Sequence, residues 1–195
     1  MGQYFRPIVL KPAYKRCKNA EKAIVATLSA YKYDNGAKLM EHSYVHNEFV
    51  EAAMKLLAGK GYGLPFVWCG DYYEGFKLGN CELDRTLYSY SSDWLDRHWE
   101  HLDKVIKATP FEDWNYIINF DKMLYVKVPH FRPTKLTIHP LPILCCAGNG
   151  MGGGDYFLDE DDPNFNLIGS WAFDRIGVSK HRPAPKFKSL KVKFE

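Results

Sequence analysis

A chain of 195 residues, 46% hydrophobic and 15% aromatic, has the material for one medium domain that folds alone around a full core. Its formal charge of +3 is too mild for the concentrated basic face of a nucleic-acid binder, so nucleic acid is not an expected partner. No apolar run approaches the roughly 18–20 residues of a membrane span and no signal-type core follows the N-terminus, so a soluble, cytoplasmic protein is expected.

In chain order, residues 2–10 (GQYFRPIVL) read as a strand, which Pro7 places at an edge or a bend. Ala23–Leu28 is a second, β-branched strand. The turn Y-D-N-G at 33–36 leads into a helix from about Ala37 to Gly59, with a kink near Ser43. Along it Leu39, Met40, Val45, Phe49, Val50, Ala53, Met54 and Leu57 recur at helical spacing. Leu64–Tyr73 follows as a strand, then a helix from Asp93 to Lys107 capped by Ser92. Together the two helices should bury Phe49, Met54, Trp99 and Leu102. Residues 114–120 and 123–128 flank Asp121-Lys122 as a hairpin without the usual turn glycine. Leu136–Cys146 reads as a strand broken by Pro140 and Pro142, hence at an edge or a bulge. Leu167–Val178 and the alternating Leu190–Phe194 close the chain.

Charge and sulfur are unevenly placed. DYFLDEDD at 155–162 carries five acidic groups, whereas 179–195 carries six Lys or Arg against Glu195, which suggests an acidic loop beside a basic last strand. The five cysteines include no C-x-x-C pair, and the adjacent Cys145 and Cys146 lie in an apolar run. Reduced, buried thiols fit a cytosolic protein better than disulfides or a zinc ribbon.

The segment L-C-C-A-G-N-G-M-G-G-G-D-Y, 144–156, satisfies G-x-G-x-x-G at Gly148, Gly150 and Gly153. A dinucleotide fingerprint must open a helix, however, and these glycines lead into an acidic, turn-forming stretch that repels phosphate. No G-K-[ST] is present, so it is not a P-loop either. A structural turn and the rim of a binding site both remain. His42 and His46 have the i,i+4 spacing of a zinc-protease pair, but Ser43 stands where the catalytic Glu belongs, so surface or capping histidines are expected. His139, fixed beside Pro140, is the stronger functional histidine. Asp71, Glu74, Asp155 and Asp174 occupy turns; converging, they would hold a divalent cation or act as acid and base, and separately they are turn chemistry.

Several stretches together resemble an uncharacterised family associated with bacteria and their bacteriophages. They are M-G-Q-Y, Y-D-N-G-A-K-L-M-E-H-S-Y with N-E-F after it, W-C-G-D-Y, N-F-D-K-M-L-Y-V, I-H-P-L-P-I-L, G-N-G-M-G-G-G-D-Y and G-S-W-A-F-D-R-I. The resemblance runs from Met1 to about Val178. It implies a compact cytosolic accessory protein of prophage type and carries no activity.

The expected fold is α+β: one bent antiparallel or mixed sheet with two main helices packed on one side, in a single domain. The echo of W-x-x-D at Trp68–Asp71 and Trp171–Asp174 leaves room for a duplication of halves 1–90 and 110–195. Two functions follow. The first is a non-catalytic protein, needing no cofactor, that binds a host protein or small ligand through Tyr72, Asn149, Gly150, Gly153, Tyr156 and Trp171. The second is a hydrolase of phosphate-containing ligands that uses Mg or Mn with Asp71, Glu74, His139, Asp155 and Asp174.

Overall fold

The computed structural model describes residues 2–79, 83–109, 113–130, 136–150 and 155–194. The fold is α+β. Eight strands build one open mixed sheet: β1 (Phe5–Leu10), β2 (Ile24–Thr27), β3 (Leu64–Gly70), β4 (Tyr116–Asn119), β5 (Leu124–Lys127), β6 (Cys146–Ala147), β7 (Arg175–Ser179) and β8 (Lys188–Ser189). The spatial order is β2-β1-β3-β7-β4-β5-β8. Beside β3, β7 pairs antiparallel at Leu64 and Pro65, and β6 pairs parallel at Trp68 and Cys69. One long strand thus ties both halves of the sheet to the segment that enters the glycines.

Pro7 lies inside the sheet rather than at its edge, because β1 is flanked by β2 and β3. Leu28 N–H donates to the Pro7 carbonyl at 3.4 Å, so the missing Pro7 N–H points toward the place where β2 ends. An interior proline is tolerated there because no ladder bond is lost.

A single helical turn, α1 (Ala20–Ala23), leads into β2, and the helix expected over 37–59 is two helices, α2 (Leu39–His42) and α3 (Glu48–Ala58). Ser43 Oγ donates back to the Leu39 carbonyl, His46 takes φ +66°, and the Asn47 side chain accepts from Phe49 and Val50 N–H as a new N-cap. The long helix α4 (Leu87–Ala108) begins earlier than Ser92, where Thr86 caps it by accepting from Ser89 N–H at 3.3 Å. It runs beside β2. Its first turns meet β1, where the buried Arg6 guanidinium lies 3.9 Å over the Tyr88 ring, and its last turn meets α3, where Lys55 Nζ reaches the Ile106 carbonyl. Phe49, Met54 and Leu102 are buried as expected, while Trp99 is only half-buried under Lys32.

Pro140 and Pro142 do not break a strand; they start a helix, α5 (Pro140–Cys145), with His139 as N-cap. In the first turn of a helix the N–H groups have no internal partner, so two prolines there forfeit nothing. The expected hairpin is present, with Met123 at φ +54° in place of a glycine and the Asn119 side chain accepting from Asp121 and Lys122 N–H. Most of 167–174 is turn, and only Arg175–Ser179 is strand. Residues 190–194 keep their alternating burial although the ladder has ended at Ser189. This tail packs beside the acidic loop, through Tyr156 on Phe194 and Asn164 on the Lys193 carbonyl.

The two W-x-x-D segments adopt different conformations: Trp68 is in a strand, Trp171 in a turn. Cys17, Cys69, Cys145 and Cys146 are free thiols, and Cys81 lies outside the described residues. Among the described residues no helix is long and apolar enough to cross a membrane.

At the core Trp68 Nε1–H donates to His42 Nε2 at 2.9 Å, and His42 Nδ1 meets the Gly36 carbonyl at 2.9 Å. His42 is therefore a neutral Nδ1–H tautomer, neither a surface group nor a cap. Phe49 packs edge-on against both rings. Burial lowers the His42 pKa to about 4, against 6.5 for a free imidazole. Because the unfolded chain takes up this proton first, its contribution to stability is complete above pH 6.5 and declines at about 1.4 kcal/mol per pH unit as pH falls toward 4. Nitrogen-15 spectra of the ring should show the neutral tautomer at pH 5, and a protonated ring at pH 6 would contradict this arrangement.

Candidate functional site

The site begins with a residue that sequence reasoning gave no functional role. Gln3 precedes the all-buried strand β1 and is itself 0% exposed. A buried carboxamide needs partners, and Gln3 finds them on both sides of the glycine segment. Its Oε1 accepts from Asn149 N–H at 3.0 Å and its Nε2 donates to Asp155 Oδ2 at 2.8 Å. Two glycines make room for it. A Cβ on Gly70 would lie 2.9 Å from Gln3 Oε1, and one on Gly148 would lie 2.8 Å from the same atom. A side chain at either place would push the Gln3 carboxamide out of this position.

The clamp leaves Asp155 half used. Its Oδ1 is buried without a hydrogen-bond partner among the described residues. Asp155 also lines a cavity of about 490 Å³ walled by Gln3, Gly148, Gly150 and the rings of Tyr73, Tyr156 and Phe173. Phe157, 62% exposed, stands at the same cavity. Burial raises the Asp155 carboxyl above its usual range, Asp71 nearby raises it further, and the Gln3 hydrogen bond acts the other way. Gly150 adopts φ +70°, and a Cβ there would meet nothing within 4 Å among the described residues, so it forms open rim.

The other expected site residues divide between this cleft and the scaffold. Asp71 closes the end of the β1–β3 ladder, where Tyr4 N–H donates to its carboxylate at 3.1 Å and Asp71 N–H donates to the Tyr4 carbonyl at 2.9 Å. Tyr72 is 44% exposed beside it, outside the cavity wall. Glu74 is exposed in a separate groove with Lys77, Asp84 and Arg85. Asp174 accepts from Asn119 Nδ2 and pairs with Lys122, which ties the β4–β5 turn to the start of β7. Trp171 is 1% exposed and its N–H bonds the Leu144 carbonyl, so it is a core residue rather than a contact surface. Gly153 lies outside the described residues. Of the five residues named for catalysis, the structure brings Asp71 and Asp155 close enough to couple and sends Glu74, His139 and Asp174 elsewhere.

His139 is 2% exposed, and its pKa is lowered to about 3, by burial first and by His46 second. Nδ1 accepts from Leu141 N–H at 3.2 Å. His46 lines a separate pocket together with His139 and meets Glu51 at 3.2 Å. Among the described residues, no three His, Cys, Asp or Glu side chains are gathered to hold a metal ion.

Comparisons of the chain with protein-family models, curated proteins and solved structures give no match.

The clamp makes a local prediction. Gln3→Ala should raise amide exchange at Asn149 by an order of magnitude or more, since losing a buried hydrogen-bond partner costs about 1–3 kcal/mol. Unchanged exchange at Asn149 would mean that Gln3 does not hold the glycine segment.

Proposed function

We propose that this chain is a non-catalytic binding protein, of the accessory kind its sequence resemblance implies, and that its cleft takes an organic cation. The carrying observation is the Asp155 carboxylate, with one oxygen fixed by Gln3 and the other buried and unpartnered among the described residues. An ammonium or guanidinium group supplies what Oδ1 lacks, and the rings of Tyr73, Tyr156 and Phe173 offer the faces that attract cations. Asp71, together with the exposed Asp159, Glu160 and Asp161, adds negative charge and discourages a phosphate. The cation is carried either by a small amine or by a Lys or Arg side chain of a protein partner; the chemistry at Asp155 is the same.

The alternative reading, a Mg- or Mn-assisted hydrolase, draws its support from the coupling of Asp71 to Asp155. One thermal-shift series separates the readings, because any ligand of the folded state raises Tm. Tryptamine, agmatine and a Lys/Arg-rich peptide should each be compared with Mg²⁺ and Mn²⁺, alone and with nucleotides. A rise with the amines, lost in Asp155→Asn, is expected; that variant keeps an acceptor for Gln3 and removes the charge. A rise with the peptide alone would assign the cation to a protein partner. A rise only with metal plus nucleotide would transfer the site to the hydrolase reading, and no rise with any cation would refute both.

A further inference from the structure

A second pocket, of about 280 Å³ and open on one side, lies away from the Asp155 cleft and shares no residue with it. Its apolar wall includes Val50 and Met54 of α3, Trp114 ahead of β4 and Val128 after β5. His139 completes it. Because Nδ1 of that ring accepts from Leu141 N–H, the proton of the neutral imidazole sits on Nε2, at the edge of the ring turned away from the α5 backbone. Nε2 is buried and has no hydrogen-bond partner among the described residues. A donor in that state is rare in a finished core, where buried polar groups are almost always paired. The space is far larger than one water needs, and Glu51, Asp113, Asn115 and His130 face the apolar wall across it.

We propose that this cavity is a second ligand site, for a small uncharged molecule with an apolar body and a carbonyl oxygen that accepts the His139 Nε2 proton. Charge selects this class. Glu51 and Asp113 line the same space, beside His46 and His130; the two carboxylates oppose a carboxylate ligand, while an ammonium would present a donor to the His139 donor. The apolar body lies against Trp114, Met54 and Val50, as most small-ligand pockets combine an apolar wall with a few placed polar groups. Nothing in this assignment depends on the Asp155 cleft, so either can fail alone.

Three isosteric probes test it: benzamide, benzoate and benzylamine, read by nitrogen-15 spectra of the histidine rings in the full-length chain. Benzamide is expected to shift the His139 Nε2 resonance saturably, with at least tenfold weaker affinity in His139→Asn and unchanged affinity in Asp155→Asn. Asparagine can still cap α5 but has no donor in the Nε2 position. The wild-type ring measurement decides the matter even if that variant does not fold. A resonance unmoved by millimolar benzamide would overturn the proposal. So would a larger response to benzoate or benzylamine, or a ring proton whose only contact is a buried water.

Discussion

The buried carboxamide of Gln3 is the interaction on which the candidate site depends. It binds the Asn149 N–H, just after Gly148, and the Asp155 carboxylate, so these two residues of the glycine segment are fixed to the start of the central sheet. The requirement propagates outward. Gly70 must end β3 and Gly148 must open the loop, because any side chain at either position would collide with the same oxygen. The Asp155 carboxyl then keeps one oxygen without a partner among the described residues, and the clamp sets its orientation.

The rest of the fold holds that clamp in place. The strand β3 carries β1, which brings Gln3, on one side and β6, which brings the glycine segment, on the other. Behind it, Trp68 is fixed by the His42 acceptor and by Phe49, and Trp171 and Phe173 tie the approach to β7 onto α5 and β3. Trp68 and Trp171 are buried, and Phe173 is half-buried on the wall of the cleft.

The α+β class, the hairpin and the strands β1 to β3 are legible from periodicity, because their apolar runs are long and bounded by turn residues. The departures have local causes. Asn47 is a better cap than it is an interior helix residue, so one apolar stripe makes two helices. Pro140 and Pro142 suggest a broken strand, yet their spacing also suits a first helical turn. The acidic residues at the turns look alike in sequence, but their partners, Gln3 for Asp155 and Asn119 with Lys122 for Asp174, lie more than fifty residues away. Gln3 itself leaves only a faint mark, a polar residue inside M-G-Q-Y and close to a wholly buried strand. The fixed backbone of His139 singles it out in the sequence, and the structure adds what sequence could not, a cavity made by residues from three distant segments.

The chemistry of the two cavities is complementary. One presents an acceptor among aromatic rings and acidic neighbours, the other a donor among apolar side chains, and both groups are buried with one hydrogen-bonding position unspent among the described residues. The most direct test of the proposed cation site at Asp155 is a carbon-13 titration of the Asp155 carboxyl, with and without a saturating amine such as tryptamine. The account requires a pKa above the usual aspartate range in the free protein and a marked fall when the amine is bound, because a neighbouring cation favours the carboxylate. An Asp155 carboxyl that titrates identically in both samples would contradict it.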